Sequence, residues 1–430
     1  MIKEYEKSGR QERAITGCLW GTAVGDALGL PCEGLSKRRQ QRLYPNLAGY
    51  HLLFGRGMVS DDTEHTWMTA QALCLSKGNP ALFGSALARQ LRGWLLAIPA
   101  GVGFATLRAT LRLCLGWSWA RSGVYSAGNG PAMRSALIGV CYGQDMASMK
   151  ALVGVSTRVT HTDPKAEYGA IAIAVAGWIA ASELSAESSL DLPLNFSSAQ
   201  RPPLTASVNA ETTMWHNSNG ESERQQAINA HCEQILRALP AEAEEFAALL
   251  ERARVSVLAD KTTEDFAIGL GLYHGISGYI YHTVPVVLHA WLRYPCDYER
   301  AVLTVIRCGG DTDTTAAIVG ALVGAAVGKE GISAKWRSGI CEWPRTPARM
   351  EHLGRCLSRS QLSETDLVNL KETTSLQTVV TSPSSEMVSS QLSETSLSIP
   401  RLNPIALVLR NLLFLIVILL HGFRRLFPPY

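Results

Sequence analysis

A chain of 430 residues that is 47% hydrophobic and 18% charged holds material for one large domain or two ordinary ones, most of it globular. A formal net charge of +3 without a basic block argues against nucleic acid as the main partner. Ten cysteines without a C-x-x-C pair argue against zinc-ligand and thioredoxin-like spacings; reduced thiols in a reducing cytosol fit them, as does the charged opening Met1 to Arg13, which lacks the apolar run of a secretory signal.

Ala14 to Leu30 is apolar and rich in small residues, with Gly17, Gly21, Gly25 and Gly29 repeating every four positions. That spacing predicts a buried helix whose glycine face lets another helix approach closely. Asp26 inside so short an apolar run argues against a membrane span, and Pro31 predicts the helix end. Glu33 follows in the loop, where an acid by itself is more often solvated than catalytic.

Met58 to Glu64 reads Met-Val-Ser-Asp-Asp-Thr-Glu and opens a helical run, Asp61 to Ser76. Ser60 with acids in the first turn makes an ordinary helix N-terminus. A second acidic cluster, Gly309-Gly310-Asp311-Thr312-Asp313-Thr314-Thr315, runs into another apolar helix reaching Val327, with Gly320, Gly324 and Gly328 on the four-residue spacing. One cap explains one residue of each cluster, not the echo between them. Together they offer four carboxylates and two hydroxyls from two helix N-termini. Such hard oxygen donors suit Mg²⁺, Mn²⁺ or Ca²⁺ rather than zinc, and four carboxylates can neutralise two divalent ions.

Between these clusters, Pro80 to Ala97 reads as helical, and Gly128-Asn129-Gly130-Pro131-Ala132-Met133-Arg134 as a tight loop opening a helix, a plain helix start or a phosphate cradle. His161, in Thr-His-Thr-Asp-Pro, precedes a small-residue helix, Ala166 to Ala181, and is either structural or a ligand donor. Ser182 to Arg224 shifts to Ser, Asn, Thr and Pro and is expected to be a surface insertion, with 185–223 at its heart. Helical pattern resumes over Arg224 to Arg254; among Tyr273, Tyr279 and Tyr281, core packing competes with purine stacking. The helices imply an all-α domain over 14–357.

Residues 358–400 form a Ser/Thr-rich stretch that contains Gln-Leu-Ser-Glu-Thr twice and is expected to be a disordered linker. Residues 403–423 are about the length of a bilayer span, ~20 residues. Arg410 would have to snorkel or face a partner, and an interfacial helix would want a more regular polar face, so a C-terminal membrane anchor is the expectation.

In order, GDALG with a following glutamate, SDDTE, GNGPAMR, THTDP, SGYIYHT and GGDTDTTAA resemble the ADP-ribosylglycohydrolase family, from Thr16 to Val327. The resemblance implies an all-α orthogonal helix bundle with two Mg²⁺ or Mn²⁺ ions, cleaving the glycosidic bond between ADP-ribose and a protein side chain. By matching position it implies Ser60, Asp61, Asp62, Asp311, Asp313 and Thr314 as metal ligands, with Ser60 where many relatives have threonine. Glu33 falls near the scissile bond, and Asp61 or Asp62 would help activate water. The segment Gly128, Asn129 and Gly130, with Met133 in the same motif and His161 in its loop, matches the substrate cradle, and Tyr279 the aromatic near adenine. The implied activity, in a cytoplasmic catalytic domain, is removal of ADP-ribose from modified proteins, arginine favoured over serine or other O-linked adducts, with ADP-ribose as product and an ADP-ribosylating toxin or regulator as what it would counter. A non-catalytic ADP-ribose-binding or structural protein on the same fold is the alternative.

Overall fold

Small residues decide how near the two central helices come. The computed structural model describes residues 2–187, 218–361, 399–400 and 402–424. Its first helix, Ile2–Gly29, lies antiparallel to Thr312–Val327 with the two glycine faces in contact. A Cβ built on Gly21 would sit 2.0 Å from the Gly320 carbonyl oxygen, and one on Gly29 would sit 2.2 Å from that of Thr312. No side chain fits there. Gly21→Val is therefore expected to force the pair apart and cost ~3 kcal/mol or more, beyond ordinary overpacking, measured by denaturant unfolding.

This contact delivers the end of the first helix to the start of the other. The Thr312 hydroxyl donates to the Gly29 carbonyl at 2.9 Å, so the 30–34 loop rests on the Gly309–Asp311 turn, where the Gly34 amide donates to the Gly310 carbonyl at 2.9 Å. Further close crossings place Ser135–Tyr142 on Pro164–Glu187: a Cβ on Gly139 would fall 1.7 Å from the Ala174 carbonyl oxygen. Among the described residues the architecture is all-α, without strands; isolated bridges such as Ile276 to Gly310 and Gly128 to Tyr279 lace the loops. The core around Ile15, Trp67, Leu73, Trp291 and Leu322 is continuous between the helices.

Asp61–Ser76 has its expected limits, and the Ser60 hydroxyl accepts from the Asp62 amide at 3.3 Å. The helix after Asp311 starts at Thr312, earlier than the apolar pattern alone suggests. The anticipated insertion falls largely on 188–217 and the linker on 362–398, outside the described residues. Pro347–Ser360 carries the domain slightly past Leu357.

The C-terminal helix, Pro404–Arg424, has a stretch, Pro404–Phe423, long and apolar enough to cross a membrane by length and composition. It does not stand apart from the helical domain as an anchor on a leash would. Arg410, Asn411 and His421, with Phe414 and Val417, are all buried against the domain. Arg410 does face a partner: its guanidinium grips the Glu342 carboxylate at 2.8 and 2.9 Å and donates to the Val59 carbonyl at 2.6 Å. Asn411 donates to the Ala97 carbonyl at 2.8 Å, and His421 Nε2 lies 2.9 Å from the Tyr44 hydroxyl. The polar face that the sequence seemed to lack is there, turned toward protein rather than water.

Candidate active site

Both acidic clusters open helices, and the glycine crossing brings the helix starts together. Thr314 donates to Asp62 Oδ2 at 3.1 Å, and Ser60 donates to the same oxygen at 3.2 Å. Asp311 occupies the cap position of its helix, yet its side chain makes no capping bond. Asp311 Oδ2 instead accepts from the Asn129 amide at 2.7 Å. The cap explanation thus holds for Ser60 and fails for Asp311.

The acids crowd one another. Burial raises the Asp62 carboxyl well above the ordinary carboxylate range, and Asp61, Asp26 and Asp311 add to it. Asp313 is raised by burial and then by Glu33, Asp311, Asp62 and Asp26, and Asp61 by burial and then by Asp26, Glu64 and Glu33. Glu33, exposed in its loop, is thereby electrostatically tied to both clusters. Asp62 Oδ1 and Asp313 Oδ1 are buried without a hydrogen-bond partner. Stranding two carboxylate oxygens among repelling neighbours is costly unless something positive balances them.

Beside the acids, Gly309 and Gly310 take φ of 73° and 85°. A Cβ on Gly310 would lie 2.0 Å from the Ile276 carbonyl oxygen, the atom that accepts from the Asp311 amide at 2.7 Å. Of the residues expected to cradle substrate, Asn129 and its neighbours lie at the same point. Asn129 bonds the Gly278 carbonyl through its amide at 2.9 Å and Thr283 through its side chain at 3.0 Å. His161 sits under the loop, where a Cβ on Gly128 would lie 3.0 Å from its Nε2 and one on Gly130 would lie 3.1 Å from its Cε1. Burial, then Arg134, lowers His161 to about 3, so the ring is neutral. A cleft of about 330 Å³ runs from His161 past Asp163 and Tyr168. Tyr279 is half-buried beside Tyr281, its hydroxyl 3.2 Å from the Lys165 ammonium. Met133 is buried in the core, and its carbonyl accepts from Thr66 at 3.1 Å. A cavity of about 620 Å³ between Arg13, Lys329 and Glu351 lies elsewhere; its charges pair among themselves, Lys329 with Glu351 at 3.0 Å.

A family model described as ADP-ribosylglycohydrolase matches residues 7–367. The chain belongs to the ADP-ribosylglycohydrolase family. It is 28% identical over 320 residues to an uncharacterised protein of Archaeoglobus fulgidus, covering 73% of this chain and 88% of that protein. Against the ADP-ribosylhydrolase ARH3 of Gallus gallus it is 27% identical over 358 residues, 76% of this chain and 88% of that one. The Bos taurus ARH3 matches at 26% over 249 residues, 56% of this chain and 60% of its own length. A solved structure titled ADP-ribosylglycohydrolase-related protein complex is similar in fold, with a TM-score of 0.50 at 23% identity, covering 82% of this chain and 99% of that chain. Family membership makes this a hydrolase of ADP-ribose linkages.

Two sets of residues in this ADP-ribosylglycohydrolase escaped the motif reading. Asp26, fully buried, accepts from the Ser60 amide at 2.9 Å, the Thr63 amide at 3.2 Å and the Thr63 hydroxyl at 2.5 Å. Burial pushes it up to about 7 against those bonds. The signal was there: a lone acid in a small-residue helix. Glu64, the last acid of the first motif, turns away from the cluster and pairs with Arg345 at 2.6 Å and Arg410 at 3.3 Å, while Trp94 donates to it at 2.5 Å. Burial works against its charge, but the two guanidinium groups hold it below the usual range.

The donor chemistry of the acid cluster fits hard divalent ions: carboxylate and hydroxyl oxygens, two of them orphaned, without His or Cys. No three Asp, Glu, His or Cys side chains among the described residues already form a closed set around an ion position.

Proposed function

We propose that this protein is a hydrolase dependent on two divalent cations, Mg²⁺ or Mn²⁺, that removes ADP-ribose from mono-ADP-ribosylated protein side chains. The observation that carries the reading is the pair of buried acidic helix starts with orphaned Asp62 Oδ1 and Asp313 Oδ1. Ser60, Asp61, Asp62, Asp311, Asp313 and Thr314 would hold the ions. When bound, divalent ions of this kind grip hydroxyls and bring a water toward ionisation at neutral pH.

The remaining work falls to the chain. Cleavage at an anomeric carbon passes through an oxocarbenium-like state, which carboxylates nearby stabilise. Asp26 holds the backbone of Ser60 and Thr63 and so fixes the direction of Asp61 and Asp62. Asp61 or Asp62 accepts the proton of the attacking water. Asn129 steadies Asp311, and its glycine neighbours leave the backbone open to ribose and diphosphate, with Tyr279 toward the adenine. Glu33, exposed and facing both clusters electrostatically, orients the modified side chain or passes a proton to it; a carboxylate rim suits a guanidinium, which favours arginine adducts. The C-terminal helix associates this cytoplasmic domain with a membrane, where it would reverse modification by a toxin or regulator.

Incubation with arginine-linked and serine-linked ADP-ribosyl peptides, with and without chelator, tests this. Release of free ADP-ribose that stops with chelator and returns with Mg²⁺ is expected, faster from arginine. Binding of ADP-ribose without turnover of either peptide, metal supplied, would overturn the enzyme reading; a serine preference would reassign the linkage.

A further inference from the structure

The C-terminal helix has two faces of opposite kind. Its inner side is held by side-chain bonds to Glu342, Glu64, Val59 and Ala97, and ahead of it Gln71 donates to the Pro400 carbonyl at 2.8 Å, so both the helix and the Pro400 backbone are seated on the domain. Its outer side exposes Leu409, Leu412, Leu413, Ile416, Leu420 and Phe423. Water is a poor neighbour for so contiguous an apolar strip.

The strip continues onto the catalytic domain. Leu53 and Ala100, one and two residues from Phe54 and Ile98, pack with Ile418 against the cluster of Leu30, Met58, Phe414 and Val417. Phe54 is 100% exposed, at the tip of its loop; Ile98 is exposed, and Phe104 is 85% exposed. The stretches that carry these apolar residues are one-sided in charge. No Asp or Glu occurs between Glu33 and Asp61, from 65 to 144, or from 399 to 430, although the chain has 37 of them. The exposed charges these stretches do supply are basic, among them Arg38, Arg56, Arg92 and Arg108; in sequence the helix ends on Arg424 and Arg425 follows it. Exposed apolar tips on stretches that carry arginines and no acid complement anionic lipid headgroups over an acyl layer.

A span is the competing arrangement, and the geometry disfavours it. The unbroken apolar run Leu412 to Leu420 covers about 14 Å at 1.5 Å per residue, half of a ~30 Å hydrocarbon layer. Spanning would also strip Arg410 from two carboxylates and carry it with Asn411 toward hydrocarbon.

We propose that this face seats the enzyme on the surface of a bilayer containing anionic lipids, with Pro404–Arg424 lying in the interfacial plane and still docked on the catalytic domain rather than crossing. Phe414 and Val417 pack on Leu30 and Met58, and His421 Nε2 lies 3.2 Å from the Pro31 carbonyl, two residues from Glu33. The docked helix thus borders the wall of the acidic site. Given the hydrolase reading, the substrates reached from there are modified proteins held at the membrane surface.

Flotation of the full chain with vesicles of phosphatidylcholine, alone or with phosphatidylglycerol, tests the proposal. Binding is expected only with the anionic lipid, weakened about tenfold in high salt and about tenfold by the double variant Phe54→Asp/Ile98→Asp at unchanged melting temperature, with alkaline carbonate stripping the protein from vesicles. Carbonate-resistant association that ignores the double variant would overturn it in favour of a span. Absence of vesicle binding would overturn it too, and a dimer broken by the double variant would then assign the face to a second copy. Flotation needs no ADP-ribosylated substrate, so its failure and a failure of the hydrolase reading are separate results.

Discussion

Asp313→Asn should abolish most hydrolysis while making the metal-free protein harder to unfold. The two effects have one cause. Asp313 is buried, with Glu33, Asp311, Asp62 and Asp26 as the neighbours that raise it, and its Oδ1 has no hydrogen-bond partner. A neutral amide of the same shape removes that repulsion, so the metal-free fold should gain ~1–2 kcal/mol, a melting shift of a few degrees. Hydrolysis should fall by a factor on the order of 10² to 10⁴, the usual loss when a charged group is taken from the stabilisation of a transition state. The discriminating measurement is a thermal melt with and without Mg²⁺. Wild type should gain stability with added metal, as any ligand of the native state confers; the variant should gain much less. A variant no more stable than wild type without metal, and equally stabilised by Mg²⁺, would remove Asp313 from the ion site.

What could be read from sequence follows from how local each feature is. Ser60-Asp61-Asp62 and Asp311-Thr312-Asp313-Thr314 are contiguous, so their excess of oxygens over the needs of a helix cap was visible without coordinates. The four-residue glycine spacing likewise announces a close helix crossing, although not that Gly21 would meet Gly320. Asp26 shows in the sequence as a lone acid in a small-residue helix, but its task does not, because it works on amides 34 and 37 positions away. Glu64 could not be separated from Asp61 and Asp62 by spacing, since its partners, Arg345 and Arg410, lie 281 and 346 residues on. Apolar content over 403–423 reads alike for a span and for a helix laid on its own domain. The long-range pairing of Arg410 with Glu342 tells them apart.

That pairing makes Arg410→Met the substitution with the largest expected cost in stability. Arg410 and Glu342 are both almost wholly buried, and the guanidinium meets the carboxylate through two bonds. Removing one partner leaves a buried charge uncompensated, which typically costs ~3–5 kcal/mol, whereas replacing both is often nearly neutral. Arg410→Met/Glu342→Gln should accordingly recover much of the loss, a coupling that a double-mutant cycle by urea unfolding reads directly. Escape by undocking is the cheaper route for the single variant. The C-terminal helix would then leave the domain, and limited proteolysis should cut near 399–424 well before the catalytic helices. Hydrolysis should fall as well, because Arg410 also donates to the Val59 carbonyl beside Ser60 and pairs with Glu64 on the helix that carries Asp61 and Asp62. Truncation before Ile399 likewise leaves Glu342 open to water, so it should cost about as much stability as Arg410→Met in the full chain. If instead Arg410→Met unfolds like wild type and keeps its protease pattern, the helix is not held by this ion pair.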